Sequence, residues 1–193
     1  MSNCYVIRDA GETLVLDPGN GDEGLLASLA MDTVTAIVNT HAHIDHCGGN
    51  AALMEATGAP LVLHEADLFL LDNLEAQGDM FGVPKITSPA PARFVADGDT
   101  ITVGSISFDV LHVPGHSPGH IALYGADSVF VGDVVMAGSV GRVDLPGGDM
   151  TQLMDSIQTK LLTLPDTVKV YSGHGPPTTI GEERQNNPYL RVS

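Results

Sequence analysis

The chain has 193 residues, which is enough to bury one core and predicts a single domain over residues 1–193. Its formal net charge is −16, from 8 basic and 24 acidic residues, and this balance excludes a basic surface for nucleic acid or anionic lipid. No signal-like start and no apolar run of the roughly 18 to 20 residues that span a bilayer are found, so we expect a cytoplasmic protein with no membrane partner.

The first half of the chain alternates predicted strands and helices. CYVIRD and ETLVLD predict two strands joined by a tight turn at Ala10-Gly11. Apolar spacing predicts a helix over residues 22–31, and TAIVNT then predicts a buried strand. The remaining predictions here are a helix over 50–57 stopped by Gly58, a strand at LVLHE and a helix over 66–77.

The second half begins with a strand-rich segment over residues 93–133. Residues 150–164 predict an amphipathic helix, VKVYSGH predicts a last strand, and residues 180–187 predict a short terminal helix. Because strands and helices recur in both halves, the pattern favours an α/β fold in which helices cover sheets in layers.

Three of the eight histidines lie within HAHIDH, directly after the apolar strand TAIVNT. On an extended segment His41 and His43 project to the same side and can share one cation, whereas Asp45 and His46 point differently and suit a second cation. Imidazole and carboxylate together are the ligands of zinc or iron rather than of calcium or magnesium. We expect Gly48 and Gly49 to let the backbone turn tightly after this cluster.

Three more ligand candidates each follow an apolar strand. His116 lies in LHVPGHSPGH, Asp133 ends SVFVGD, and His174 ends VKVYSGH. Functional side chains collect on loops at strand ends, where a rigid scaffold positions them. Cys4 and Cys47 form no CxxC pair, so a cysteine-based zinc knuckle is excluded and both are expected to be thiols.

These motifs resemble, in order and over essentially the whole chain, those of the metallo-β-lactamase fold superfamily. Its HxHxDH signature reads here as HAHIDH, and its later motifs match PGHSPGH, FVGD and SGHGPP. The resemblance implies a four-layer αββα sandwich with two divalent metal ions between the edges of two sheets. It implies zinc first, with iron or manganese as alternatives. By the same resemblance, His41, His43 and His116 hold one ion, Asp45, His46 and His174 hold the other, and Asp133 bridges them.

Within the superfamily, SPGHIALY, GDVVMAGSVGRVDLPGG and GHGPPTTIGEERQNNPYL resemble a short bacterial and archaeal branch of the glyoxalase II-like thioester hydrolases. The resemblance implies hydrolysis of a small hydroxyacyl thioester, such as S-lactoylglutathione, by a metal-bridging hydroxide. Asp45 would orient that hydroxide and accept its proton, and Arg142 is predicted to bind substrate. The partner is then a small molecule rather than nucleic acid, and the oligomeric state is left open.

Two other readings of the fold are a mononuclear iron persulfide dioxygenase and a non-catalytic binding domain, although the complete ligand set argues against the second. Several polar residues carry structural interpretations instead. His64 is interpreted as structural, Cys47 as a small buried thiol, and Asp17 as a local cap of the turn into the first helix. His120 and His112 are either structural or orient a ligand.

Overall fold

The computed structural model describes residues 2–83, 85–125 and 127–190. The chain forms two compact units. The first comprises Met1–Val95 with Thr102–Ile106, and the second comprises Ala96–Ile101 with Ser107–Ser193.

The first unit is built on a five-stranded sheet in the order β1-β2-β3-β4-β5. The predicted hairpin turn is confirmed, since Ala10 and Gly11 both have positive φ (49° and 84°) and the strands they join pair antiparallel. The other neighbours pair parallel, so their carboxyl ends share one edge. The strands are β1 (Tyr5–Asp9), β2 (Glu12–Leu16), β3 (Thr33–Val38), β4 (Leu61–Leu63) and β5 (Arg93–Phe94).

Helices are present where they are predicted over 22–31 and 50–57, and a short helix at Ile44–Cys47, which was not predicted, lies within the histidine-rich segment. The helix predicted over residues 66–77 is interrupted. There, a 3-10 turn at Glu65–Asp67 leads into a short helix, and Asn73, with non-helical backbone angles, separates that helix from the next. The helices are α1 (Glu23–Leu29), α2 (Ile44–Cys47), α3 (Asn50–Thr57), α4 (Leu68–Leu71) and α5 (Leu74–Phe81). The prediction for α3 is confirmed at both ends, and Gly58 closes it in the left-handed conformation.

A six-stranded sheet in the order β13-β12-β9-β8-β7-β6 lies mostly in the second unit, and a separate two-stranded hairpin of β10 and β11 follows β9 in the chain. The strands are β6 (Thr100–Val103), β7 (Ile106–His112), β8 (Ile121–Gly125), β9 (Ser128–Gly132), β10 (Val135–Met136), β11 (Ser139–Val140), β12 (Lys169–Ser172) and β13 (Thr178–Thr179). The helices are α6 (Met150–Ser156) and α7 (Ile180–Asn186). β9 and β12 pair parallel, so the segments that follow them leave the sheet at the same edge.

The helix predicted over residues 150–164 is present but changes pitch. α6 continues as a π-helical turn at Ile157–Leu161, in which the Leu162 N–H donates to the Ile157 carbonyl five residues back. Leu153, Ile157 and Leu161 remain fully buried, so the apolar face survives the change. None of the helices within the described ranges is long and apolar enough to cross a membrane.

Candidate metal centre

The HAHIDH segment leaves the carboxyl end of β3 and enters α2. Ligands of α/β sheets gather at the carboxyl ends of parallel strands, and this segment occupies such an edge in the first unit. His41 and His46 are fully inaccessible to solvent, and His43 is nearly so. The fold therefore buries three imidazoles at one sheet edge. Burying polar groups costs free energy, so polar turn residues without a common function would not be expected to be buried together.

The three imidazoles lie against one another. The ring centroids of His41 and His43 are 4.8 Å apart in an edge-to-face arrangement, and those of His41 and His46 are 4.2 Å apart. The Nε2 atoms of all three rings are buried. The structure thus brings together the three histidines predicted from HAHIDH.

Asp17, interpreted from the sequence as a local cap, organises this cluster instead. The cap of α1 is Asp22, whose side chain accepts from the Leu25 N–H. One oxygen of the buried Asp17 carboxylate accepts the Thr40 N–H at 2.7 Å. Its other oxygen accepts the Thr40 hydroxyl at 2.7 Å and contacts His46 Nδ1 at 3.0 Å. Asp17 has a φ of +51°, a conformation that a side-chain-bearing residue rarely adopts without a compensating role.

The same network assigns the imidazole tautomers. Because the Thr40 hydroxyl gives its proton to Asp17, it accepts from His41 Nδ1, which lies 3.0 Å away. The Asp17 carboxylate likewise accepts from His46 Nδ1. Both rings therefore carry their proton on Nδ1 and present the Nε2 lone pair, as metal-binding histidines do. Asp17, His41 and His46 have ligand atoms within 4.8 Å of one another, but hydrogen bonding already engages both Asp17 oxygens, so we assign Asp17 an orienting role.

Asp45 differs from these histidines in its exposure. Its side chain is 46% exposed, and its Oδ2 lies 3.6 Å from His46 Nε2. The carboxylate is therefore accessible to solvent, and it lies near a candidate ligand atom of the cluster.

Gly49 is needed for close packing rather than for a special backbone conformation. Its φ of −85° and that of Gly48 at −59° are ordinary right-handed values, which differs from the expected tight turn. A Cβ on Gly49 would overlap the backbone of Gly21, and the Gly49 N–H donates to the Gly19 carbonyl. The glycines let the loop that follows Asp17 lie directly on the ligand segment.

In the second unit, Asp133 follows β9 and His174 follows β12. The register pairs Gly132 with Ser172, so Asp133 and His174 leave the sheet side by side. Asp133 Oδ2 lies 3.3 Å from His174 Nε2 and 3.7 Å from His116 Nε2. All three ligands predicted for this half of the chain are therefore brought together around one carboxylate.

His116 is oriented by a backbone carbonyl. Its Nδ1 lies 2.7 Å from the carbonyl oxygen of Arg142, which can only accept, so the ring presents its Nε2 lone pair toward Asp133. A Cβ on Gly141 would overlap the Asp133 carbonyl oxygen, which explains the glycine beside this contact. His120 accepts the Asp133 N–H on Nε2 at 3.1 Å, so of its two interpretations the orienting one has a contact to support it.

The side chain of Arg142, the predicted substrate-binding residue, is paired within its own loop. Its guanidinium donates through Nε and an Nη to the two carboxylate oxygens of Asp144, each at 2.6 Å. This bidentate pair lowers the pKa of Asp144 to about 2 and raises that of Arg142. Because both side chains are more than half exposed, the pair is accessible to a competing anion.

His64, His112 and Cys47 have local partners. His64 Nδ1 accepts the Ala66 N–H at the start of the 3-10 turn, and His112 Nε2 lies 2.9 Å from the Pro118 carbonyl. Cys47 is fully buried, its thiol donates to the His43 carbonyl, and burial raises its pKa well above the ordinary value. Cys4 is also a free thiol, and burial raises its pKa to about 12. The expectation of two thiols is confirmed.

The donor set fits a divalent metal in both composition and spacing. Two ligands of one tetrahedral zinc ion, each about 2.1 Å from the metal, are about 3.4 Å apart. The Nε2–Oδ2 distances for Asp45 with His46 and for Asp133 with His174 and His116 are 3.6, 3.3 and 3.7 Å. Each unit by itself thus holds imidazole nitrogen and carboxylate oxygen at the separation of ligands sharing a metal.

Comparison with known proteins agrees with this assignment. Residues 1–174 match the family model described as the Metallo-beta-lactamase superfamily, and the match includes residues of both units. Hydroxyacylglutathione hydrolase GloC of Haemophilus influenzae is 37% identical over an aligned length of 195 residues. The alignment covers 97% of this chain and 92% of the relative.

Two solved structures are also similar over almost their whole length. The crystal structure of TTHA1623 in a di-iron-bound form has a TM-score of 0.91 and 41% identity, and the match covers 98% of this chain and 96% of that one. The crystal structure of BLEG-1 B3 metallo-beta-lactamase has a TM-score of 0.92 and 38% identity, with 99% and 95% covered. With the sheets and helices described above, these matches confirm the predicted fold class.

Proposed function

The chain belongs to the metallo-β-lactamase superfamily and is a metallo-hydrolase, and from this premise we propose that it hydrolyses small hydroxyacyl thioesters of the S-lactoylglutathione type. The observation that carries the proposal is the orientation of His41, His46 and His116. Each has Nδ1 bonded to an oxygen of its own unit and so offers Nε2 as a ligand. The similarity to GloC, named as a hydroxyacylglutathione hydrolase, supports the substrate class.

We propose that the chain holds two divalent ions, zinc first and iron or manganese as alternatives. One ion would be held by His41, His43 and His116, the other by Asp45, His46 and His174, with Asp133 as the shared ligand. The di-iron form of TTHA1623 supports a pair of ions and admits iron. When bound, such ions polarise a carbonyl oxygen and lower the pKa of bound water to about 7.

Residues of the chain would assist hydrolysis of the thioester. A water oxygen forms a bond to the thioester carbonyl carbon, the carbon–sulfur bond breaks, and the products are a hydroxy acid and a thiol. The Asp45 carboxylate would orient the attacking water and accept its proton, a role that its 46% exposed side chain permits. Asp17 and Thr40 keep the neighbouring imidazoles in one tautomer while this proton moves.

Arg142 would bind an anionic end of the substrate. Its guanidinium already binds the Asp144 carboxylate in bidentate geometry. A substrate carboxylate would accept hydrogen bonds from the same N–H groups in place of Asp144. This accessible pair supports Arg142 as a binding residue that exchanges one carboxylate for another.

The test combines a metal count with a substrate panel. Plasma emission on the purified protein should find two ions per chain, and turnover should be highest with lactoyl-glutathione in a panel that includes acyl-coenzyme A and a chromogenic β-lactam. His46→Ala and Asp133→Ala should each lower kcat/KM by about 10³-fold, since metal ions supply several kcal/mol of charge stabilisation. His64→Ala, the same change at a histidine outside the ligand set, should keep near-native activity.

Three outcomes would contradict the proposal. One iron per chain with oxygen uptake on a thiol persulfide would establish the dioxygenase alternative. Preferential turnover of the β-lactam would replace the substrate class, as the named activity of BLEG-1 makes reasonable to test. A fully metal-loaded protein without turnover on any arm would identify a binding domain.

A further inference from the structure

Gln77 of α5 reaches the ligand segment from a separate helix. Its Nε2 donates to the Ala42 carbonyl at 3.1 Å and to the Leu70 carbonyl at 2.9 Å. Its Oε1 accepts the Ile44 N–H at 3.0 Å. The side chain is half-buried, and α5 packs against α2, which carries Asp45 and His46.

These bonds hold both peptide groups that flank His43. The Ala42 carbonyl belongs to the peptide before His43, and the Ile44 N–H belongs to the peptide after it. One amide side chain therefore restrains the backbone angles of His43, which are −79° and 147°. The buried Asp67 extends the clamp by accepting the Ala42 N–H at 3.1 Å.

The His43 imidazole is not used to cap the helix that follows it. His43 is the N-cap residue of α2, a position where the side chain usually accepts a hydrogen bond from the first turn. The His43 side chain makes no such capping bond, and Gln77 accepts a different N–H of the first turn, that of Ile44. The imidazole can then be directed by the ligand site rather than by its helix.

Only an amide of this length meets the chemistry of the clamp. The Ala42 carbonyl needs a donor and the Ile44 N–H needs an acceptor, and the Gln77 amide supplies both in one orientation. Glutamate would keep the acceptor but set a carboxylate oxygen against a carbonyl oxygen. Methionine would fill the same space and offer neither bond.

We propose that Gln77 is a positioning residue that sets the orientation of His43 toward a bound divalent ion. The inference rests on the proposed function, because it takes His43 as a metal ligand. Gln77 would act through the backbone alone, so its effect is on metal affinity and ligand geometry.

The experiment measures metal binding without substrate. Apo-protein is titrated with Zn²⁺ in competition with a chromophoric chelator, and the visible absorption of the Co²⁺ form is recorded. Gln77→Met should weaken Zn²⁺ binding by about 10-fold, the lower end of the effect of partners that orient ligands, and should shift the Co²⁺ bands. Gln77→Glu, which keeps the bond to Ile44 but sets a carboxylate oxygen against the Ala42 and Leu70 carbonyl oxygens, should also lose affinity.

Two controls separate positioning from general effects. Gln152→Met makes the same change at an exposed site on α6, and Leu29→Ala removes core volume from the first unit outside the ligand segment. Both should keep Zn²⁺ affinity within about twofold and leave the Co²⁺ spectrum unchanged, although Leu29→Ala loses stability.

Native affinity and an unchanged Co²⁺ spectrum in folded Gln77→Met and Gln77→Glu would overturn the proposal. Failure of both variants to fold would overturn it as well, because Gln77 would then be a folding determinant. If the native chain binds no divalent ion, the proposed function itself fails, and this outcome is distinct from equal binding by native protein and variants.

Discussion

Asp17→Asn is the sharpest test of how the first unit orients its histidines. The Asp17 carboxylate accepts three hydrogen bonds inside the protein, from the Thr40 N–H, the Thr40 hydroxyl and His46 Nδ1. Asparagine has the same shape but replaces one oxygen with an NH₂ group. In either orientation this group faces at least one buried donor, so no rotation of the side chain lets asparagine accept all three hydrogen bonds.

The size of the effect follows from this count. In the better orientation the amide oxygen keeps the Thr40 hydroxyl and His46, while the Thr40 N–H loses its acceptor at about 1–3 kcal/mol. The two retained bonds lose their charge assistance, at about 1 kcal/mol each. Because Asp17 is only 2% exposed, solvent screening does not reduce these terms, and we expect a loss of about 3–5 kcal/mol in the free energy of unfolding.

Urea unfolding of the metal-free protein, followed by circular dichroism, measures this loss directly. A Zn²⁺ titration of the same variant should show affinity lowered about 10- to 100-fold, because His46 loses the partner that fixes its tautomer. Asp22→Asn is the matched control. Asp22 caps α1 with one bond to the Leu25 N–H, and asparagine is an equally good cap.

A loss below about 1 kcal/mol in Asp17→Asn, similar to that of Asp22→Asn, would refute the reasoning, since it would mean that Asp17 does not act as a triple acceptor. Lost stability with native Zn²⁺ affinity would refute only the tautomer argument. The two measurements therefore test the structural and the metal-orienting roles of Asp17 separately.

Two further predictions concern the second unit. Glu183→Met should destabilise the protein by about 2–4 kcal/mol in urea unfolding, because the buried carboxylate accepts from the Thr178 hydroxyl, the Gly138 N–H and the Asn187 amide, and methionine offers these donors no acceptor. A native unfolding midpoint would contradict this. Asp144→Asn should lower KM for an anionic thioester by about two- to fivefold in steady-state kinetics, because Arg142 is released from its exposed partner, and should leave a neutral thioester unaffected. An equal change in KM for both substrates would show that Arg142 does not bind the anionic end of the substrate.

Local signals in the sequence predict most helices and strands of the fold. α3 was predicted at both ends because Gly58 can adopt the left-handed angle that closes a helix. The helix over residues 66–77 was wrong because its apolar spacing continues through a break at Asp72 and Asn73. Asn73 uses its side chain to bond the Phe69 carbonyl, and the Gln77 side chain takes the Leu70 carbonyl. Side-chain competition for backbone carbonyls has no periodic signature, so the break was not visible.

The ligand candidates could be found from sequence because each follows an apolar strand and matches a motif. The residues that orient them could not, because their contacts are distant along the chain. Asp17 bonds a histidine 29 residues away, and Arg142 contacts His116 across 26 residues through a carbonyl that any residue would supply. A signal for Asp17 did exist, since ETLVLD places a carboxylate just past a strand, but its use required knowing that β2 pairs with β3.

The six-residue motif is therefore only part of what would make this segment a ligand site. The His46 tautomer depends on Asp17, the His41 tautomer depends on Thr40, and the His43 backbone is held by Gln77. None of these three partners lies within HAHIDH, and two of them come from elements far along the chain. The motif supplies lone pairs, whereas their direction is set by hydrogen bonds that form only when β2, β3 and α5 have packed. The contribution of HAHIDH to metal affinity would thus depend on the folding of the first unit and not on the sequence pattern alone.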